Sequence, residues 1–271
     1  VGSRVYLLLT LLFYTAGAVQ VLVHAATRRR LLSRTTTAAM LLGFAAHTAA
    51  LALRWNEAGR FPAVGLRDVS SFLAWSLVLV FLLMWLRSKV DVLGLAVHPT
   101  AFLLLVVANL SRPEDKADPY LQTLFLPVHA TLAFLGYSAL FVAFAMGVLY
   151  LIQERELRAR SPHTFYYLIP SLEGCDRTGG RAAAVGFPLL TLAIVTGMFW
   201  SAAARGAYWT GDPKEWTAAL AWVIYLVMLV ARHRSGWGGR RGAWLGIAGF
   251  AAVALAFVFV TLATPGVAAT R

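Results

Sequence analysis

Along this chain, apolar residues run almost unbroken for stretches near the ~20 positions that a helix needs to cross the hydrocarbon layer, and polar residues gather in the connections. Eight stretches stand out: Val5 to Ala26, Thr36 to Leu53, Val69 to Leu86, Val90 to Leu110, Val128 to Ile152, Ala182 to Ala203, Thr217 to Ala231 and Ala243 to Ala263. The seventh is short and needs its neighbours to complete it. The pattern predicts an all-α, polytopic integral membrane protein, a bundle of about eight transmembrane helices whose backbone polar groups are satisfied within each helix. The first stretch has only Arg4 before it and no small-residue cleavage site after it, so it reads as a helix and not as a secretory signal. No break in composition divides the chain, which predicts a single domain over 1–271.

Composition strengthens the membrane reading. With 59% hydrophobic and 13% charged residues, a soluble domain would carry more apolar surface than one core accepts. The net charge of +12 gains meaning from its placement. Eight spans put both termini on one side of the membrane. With the termini outside, the cytoplasmic connections carry Arg28, Arg29, Arg30 and Arg34, then Arg87 and Lys89, then Arg155, Arg158, Arg160, Arg177 and Arg181, then Arg232, Arg234, Arg240 and Arg241. That is most of the 24 Lys and Arg, as the positive-inside rule asks of a multi-pass protein of the inner (plasma) membrane. Anionic lipid explains these arginines without any nucleic acid. Cys175 is the only cysteine, so internal disulfides and cysteine-based metal sites are excluded.

The connections differ in character. Gln153 to Arg181 begins QERELRARSPHTF, which prolongs the fifth helix past the membrane until Pro162 ends it. On the outer side, RWNEAGRFPAVGLR (54–67) is held irregular by Gly59, Pro62 and Gly65, and SRPEDKADPYLQTLFLP (111–127) carries three prolines. GFAAHTAAL and GFPLLTLAIVTG place small residues where helices can approach closely.

The third outer connection is unlike an ordinary loop. RGAYWTGDPKEWTAALAW (205–222) puts Tyr208, Trp209 and Trp216 beside Gly206 and Gly211, so broad polarizable faces stand next to exposed backbone. Such a surface suits a planar hydrophobic ligand; an interfacial aromatic belt is the plainer reading for isolated tryptophans. Asp212, Lys214 and Glu215 add polar handles, Pro213 fixes the turn into the seventh helix, and Asp212 is placed to cap that helix.

This stretch resembles the tryptophan-rich signature of the heme-handling WWD, or cytochrome c assembly, family, in its CcsA/ResC and HemX-like branch. Gly206, Tyr208, Trp209, Asp212, Pro213, Lys214 and Glu215 match the family form, while Arg205 and Gly211 stand where tryptophan is common and the final aromatic, Trp216, comes one place early. GFAAHTAALALRW (43–55), FLAWSLVLVFLL (72–83), PVHATLAFLGYSAL (127–140), LIPSLEGCDR (168–177) and GFPLLTLAIVTG (186–197) extend the resemblance over most of the chain.

The resemblance implies a protein that binds heme b and presents it on the outer face for attachment to apocytochrome c, working with a CcsB-like membrane partner. Tyr208, Trp209 and Trp216 would hold the porphyrin, with Gly206 giving access, and Asp212 and Glu215 would orient the loop or meet the propionates through Lys214 or water. His129, in LPVHATLAFLGY at the outer end of the fifth span, matches the family's first external heme-ligating histidine and is the metal ligand of this reading. His47 matches a histidine common in the branch. It lies ~9 Å inside the second span at 1.5 Å per residue, where an ionisable group is a functional hypothesis by default and a neutral imidazole bonded to a neighbouring helix is the alternative. His98, before Pro99, reads as structural at a kink; His24, His163 and His233 read as interfacial.

The sequence departs from the family in two places. No histidine follows His233, so no second external ligand is at hand, and Val230 stands where the family has a histidine in the seventh span. Heme on His129 would be five-coordinate, take its sixth ligand from a partner or apocytochrome, or bind with the C-terminal tail rearranged. The chain offers no nucleophile and no self-contained catalytic site. Two other roles stay open at the level of sequence: a HemX-like membrane regulator or accessory factor of heme biosynthesis, and a carrier of another flat hydrophobic molecule, against whose coupling to protons the lack of paired intramembrane carboxylates speaks.

Overall fold

A computed structural model describes residues 2–27, 34–88, 90–112, 125–159 and 167–263. Among them are eight α-helices: α1 Gly2–Ala26, α2 Arg34–Ala58, α3 Gly65–Ser88, α4 Gly94–Leu110, α5 Phe125–Arg158, α6 Leu172–Arg205, α7 Pro213–Ser235 and α8 Gly239–Ala263, with a 3-10 turn Asp91–Leu93 before α4. All eight are long and apolar enough to cross a membrane, so the chain is a multi-pass, all-α membrane protein. His163 and most of the 111–127 connection lie outside the described residues.

Several boundaries differ from the hydropathy pattern, those of α6 and α7 among them. Helix α6 starts at Leu172 and not near Ala182, because the Ser171 hydroxyl accepts a hydrogen bond from Gly174 N at 3.2 Å and caps it. The charges and glycines of LEGCDRTGGR hide that first stretch from a hydropathy reading. Helix α7 takes in the polar PKEW and ARHRS at its two ends and reaches 23 residues, enough to span.

The helices form two compact units, Val1–Thr123 and Leu124–Arg271. In the first, α1 to α4 pack antiparallel. Ser3 bonds Glu57 at one end of the α1/α2 pair and Thr36 Oγ1 donates to Gln20 Oε1 at 3.0 Å at the other. Helix α2 faces α3 through Arg54, whose Nε donates to Asp68 Oδ1 at 3.1 Å, and Trp85 Nε1 ties α3 to Asp91 at 2.9 Å. In the second unit, small residues let helices meet closely: a Cβ on Gly186 would lie 2.6 Å from Leu140 Cδ2, and one on Gly147 2.9 Å from the Ala243 carbonyl oxygen. Phe141 and Phe144 of α5 pack on Phe250 of α8, and Tyr225 OH of α7 donates to Gly246 O at 3.2 Å.

The second unit is fastened at one end by a charge pair. Both terminal guanidinium nitrogens of Arg232 (α7), Nη1 and Nη2, reach the Asp176 carboxylate (α6) at 2.7 Å, and Gly239 N at the start of α8 donates to the same carboxylate at 2.8 Å. Arg232→Ala removes two of the three donors from a half-buried carboxylate. It is expected to destabilise the protein by about 1–3 kcal/mol, read as an earlier thermal transition in detergent, and Arg232→Lys should recover only part because it cannot bond bidentately.

Candidate functional site

The 205–216 loop is built by its own polar side chains. Helix α6 ends on Gly206, whose φ of 75° is left-handed, and Gly211 repeats this at 79°, a conformation that favours glycine. Pro213 takes the first position of α7 as expected. The capping differs from expectation: Asp212 occupies the N-cap position, but its side chain makes no cap hydrogen bond. Two cations draw it away, Arg205 Nη1 at 2.8 Å and Lys214 Nζ at 3.2 Å. Glu215 closes the loop instead, accepting from Thr210 N and Gly211 N at 2.9 Å each and from Thr210 Oγ1 at 2.8 Å. It reaches back as the second half of a capping box does. Arg205, which stands where the family has tryptophan, is therefore a structural partner of Asp212.

Those hydrogen bonds from Arg205 and then Lys214 hold the Asp212 carboxyl below its ordinary pKa of 3.8. A carboxylate whose folded pKa is depressed adds stability that is present above the unfolded value and is lost as pH falls through the folded one. Loop order should therefore be constant from pH 8 down to about 5 and loosen only below about pH 4. Acrylamide quenching of tryptophan fluorescence in wild type and Asp212→Asn would show this; the acid transition should be smaller in the variant, which keeps only the Glu215 bonds.

The aromatic side chains form an open shelf. Tyr208, Trp209 and Trp216 are 57%, 39% and 61% exposed, which leaves ring surface for a ligand. Trp209 and Trp216 meet edge to face with centroids 5.2 Å apart, and Tyr208 sets its edge on Phe199 of α6 at 5.9 Å. The indoles are braced at right angles and present different faces.

His129 sits one turn into α5, on the last third of α6. Its Nδ1 is 2.8 Å from the Ala193 carbonyl oxygen. A carbonyl can only accept, so Nδ1 carries the proton and the neutral ring keeps its lone pair on Nε2, the state in which imidazole binds a metal. Gly197 makes room for the ring: a Cβ there would lie 2.8 Å from Cε1 and 3.0 Å from Nδ1. Trp200 flanks the imidazole with centroids 6.1 Å apart. Lys214 of the loop lies within electrostatic reach of the ring, so the predicted ligand and the predicted aromatic loop share one end of the second unit. Ala193, Gly197, Trp200 and Arg205 complete the set. Sequence reading treats Gly197 only as a packing residue, because a backbone carbonyl acceptor and a seat beneath a ring leave no side-chain signature.

His47 belongs to the first unit. It is fully buried, its Nε2 is 3.0 Å from Ser71 Oγ, and Tyr14 meets it edge-on at 5.8 Å. Helix α2 runs on past Leu53 to Ala58, which sets His47 ~16 Å from that helix end, deeper than the hydropathy boundary implies. His98 Nδ1 donates to Gly94 O at 2.9 Å within α4, where Pro99 lies inside the helix.

A polytopic helical membrane protein with a Trp/Tyr loop at the same end as an oriented histidine is the class these features define. The sequence pattern of the cytochrome C assembly protein family matches residues 63–268. The chain is similar to the cytochrome c biogenesis protein CcsA of Microcystis aeruginosa, 30% identical with 97% of this chain and 94% of the relative covered. It is similar to CcsA of Guillardia theta, 30% identical over 81% and 79% of the two chains, and to that of Marchantia polymorpha, 29% identical over 81% of each. The chain belongs to the cytochrome c assembly protein family, in its CcsA branch.

Proposed function

We propose that this protein acts in cytochrome c biogenesis by binding heme b at the 205–216 loop and His129 and presenting it, on the outer face of the inner membrane, for attachment to apocytochrome c. The observation that carries the reading is the His129 ring: its Nδ1–H is spent on Ala193 O at 2.8 Å, which leaves Nε2 free to donate to iron. Tyr208, Trp209 and Trp216 offer ring faces to the porphyrin. Lys214 and Arg205, held by Asp212, supply positive charge for the propionates. Heme brings four ligands of its own, so one histidine suffices here, and the opposite face is left for a ligand from a CcsB-like partner or the apocytochrome. The work of this chain is positional: it binds the disc, orients it, and holds the vinyl groups where the apoprotein's cysteines can reach them. His47, in the first unit, is not assigned to this site.

The test is the absorption spectrum of the detergent-purified protein, oxidised and reduced. Wild type should carry heme, and Trp209→Ala and Trp216→Ala should each weaken it by roughly 2–10-fold, the value of one lost aromatic contact. A preparation that neither contains heme nor takes it up would contradict the proposal.

A further inference from the structure

Two arginine–aspartate pairs in the second unit are built differently. Asp176 receives Nη1 and Nη2 of Arg232 at 2.7 Å each and Gly239 N at 2.8 Å, the two-point geometry that makes such pairs strong. Asp212 has no such geometry. One of its oxygens, Oδ2, takes both Arg205 Nη1 at 2.8 Å and Lys214 Nζ at 3.2 Å, and the side chains of Arg205, Asp212 and Lys214 are 48%, 39% and 28% exposed. A single oxygen shared between exposed cations holds each of them weakly.

The same carboxylate has a second place to go. Asp212 occupies the N-cap position of α7, where aspartate is among the best residues, yet its side chain makes no cap hydrogen bond. Pro213 has no N–H, so the groups a cap would accept from are the backbone N–H of Lys214 and of Glu215. Turning there gives up two exposed ion contacts and gains a cap. The two arrangements therefore lie close in free energy.

A second carboxylate would tip the balance. Glu215 is not the rival, since its two oxygens are taken by Thr210 and Gly211. Arg205 and Lys214 bracket Tyr208 and Trp209 in the loop, and Lys214 also lies within electrostatic reach of the His129 ring. A flat ligand held there with carboxylates of its own can draw both cations off Asp212; an uncharged one cannot. We propose that Asp212 is a displaceable counter-ion: the ligand's carboxylates take Arg205 and Lys214, Asp212 turns to cap α7, and the loop thereby selects flat rings that carry carboxylates over neutral ones. This exchange rests on the heme reading of the loop, the two propionates being the carboxylates. Only ion contacts and hydrogen bonds change partners. Arg205, which stands where the family has tryptophan, is thus a specificity residue as well as a brace.

The experiment titrates the full chain in detergent with hemin and with hemin dimethyl ester, whose propionates are neutral, and follows the Soret band. The ratio of the two affinities is compared between variants, so that partitioning into detergent cancels. Arg205→Gln and Lys214→Gln should each lower the hemin-to-ester ratio about 2–5-fold, the worth of one exposed ion pair. Asp212→Asn should raise it by a similar factor, because asparagine caps a helix as well as aspartate does and leaves the cations to the ligand. In the Arg205→Gln/Lys214→Gln background that gain should vanish. A residue that only braced the loop would lower both affinities together. A ratio unmoved by Arg205→Gln and Lys214→Gln, or one that Asp212→Asn lowers or leaves unchanged, would overturn the exchange while leaving the heme site standing. Saturable uptake of neither ring by wild type would remove the heme site and the exchange together.

Discussion

His129→Ala is expected to lower heme retention at least ~100-fold, because it removes the proposed iron ligand itself, whereas even the loss of an outer-shell partner typically costs 10–100-fold in metal affinity. The aromatic shelf would remain, so weak, non-ligated uptake should persist with a shifted Soret band. His129 is half-buried near the start of α5 and bonds a backbone carbonyl, so the substitution should not unfold the bundle. Far-UV circular dichroism should be unchanged while the heme bands are lost, and exogenous imidazole should restore part of them by filling the vacated position. Identical spectra in variant and wild type would remove His129 as ligand.

The second large effect is expected from Gly197→Ala, a residue that touches no heme in this account. The added methyl would lie 2.8 Å from Cε1 of His129 and 3.0 Å from Nδ1, distances at which the ring must move. Moving it breaks the bond to Ala193 O that fixes the tautomer, and the lone pair no longer stays on Nε2. Heme affinity should fall about 10–100-fold, as for other outer-shell changes. Gly186→Ala is the control. It is as crowded, with Leu140 Cδ2 at 2.6 Å, but lies about 16 Å further along α6, so it should lower thermal stability and leave the spectrum of the retained heme alone. If the two variants behave alike, Gly197 acts only through packing.

Much of this architecture is legible in the sequence because the bilayer demands it: a span must be ~20 residues long and nearly all apolar. That demand makes eight helices visible, but it is silent where a helix runs on into polar residues, as α6 does through LEGCDRTGGR and α7 through PKEW. The loop is legible by type, since tryptophan, tyrosine, glycine and DPKE in one short connection have few other uses, but its internal bonding is not. Asp212 is a good N-cap by identity, yet the nearby Arg205 and Lys214 outbid the backbone for its carboxylate, and Glu215 takes the closing role. His129 can be read from its position, while the reason it can serve as a ligand cannot: that reason is the Ala193 carbonyl on another helix, 64 positions away in the chain. His47 shows the opposite case. Its depth marks it from the sequence, and only the structure shows its ring nitrogen engaged by Ser71.

Everything proposed for the outer end of the second unit depends on iron binding the His129 imidazole. Titration of the purified, full-length protein with hemin, followed through the Soret band with His129→Ala in parallel, tests it most directly. Wild type should give a saturable rise with a histidine-ligated spectrum, and the variant a weak, shifted response. A wild-type titration that never saturates, with native membrane partners supplied, or two curves that coincide, would contradict it.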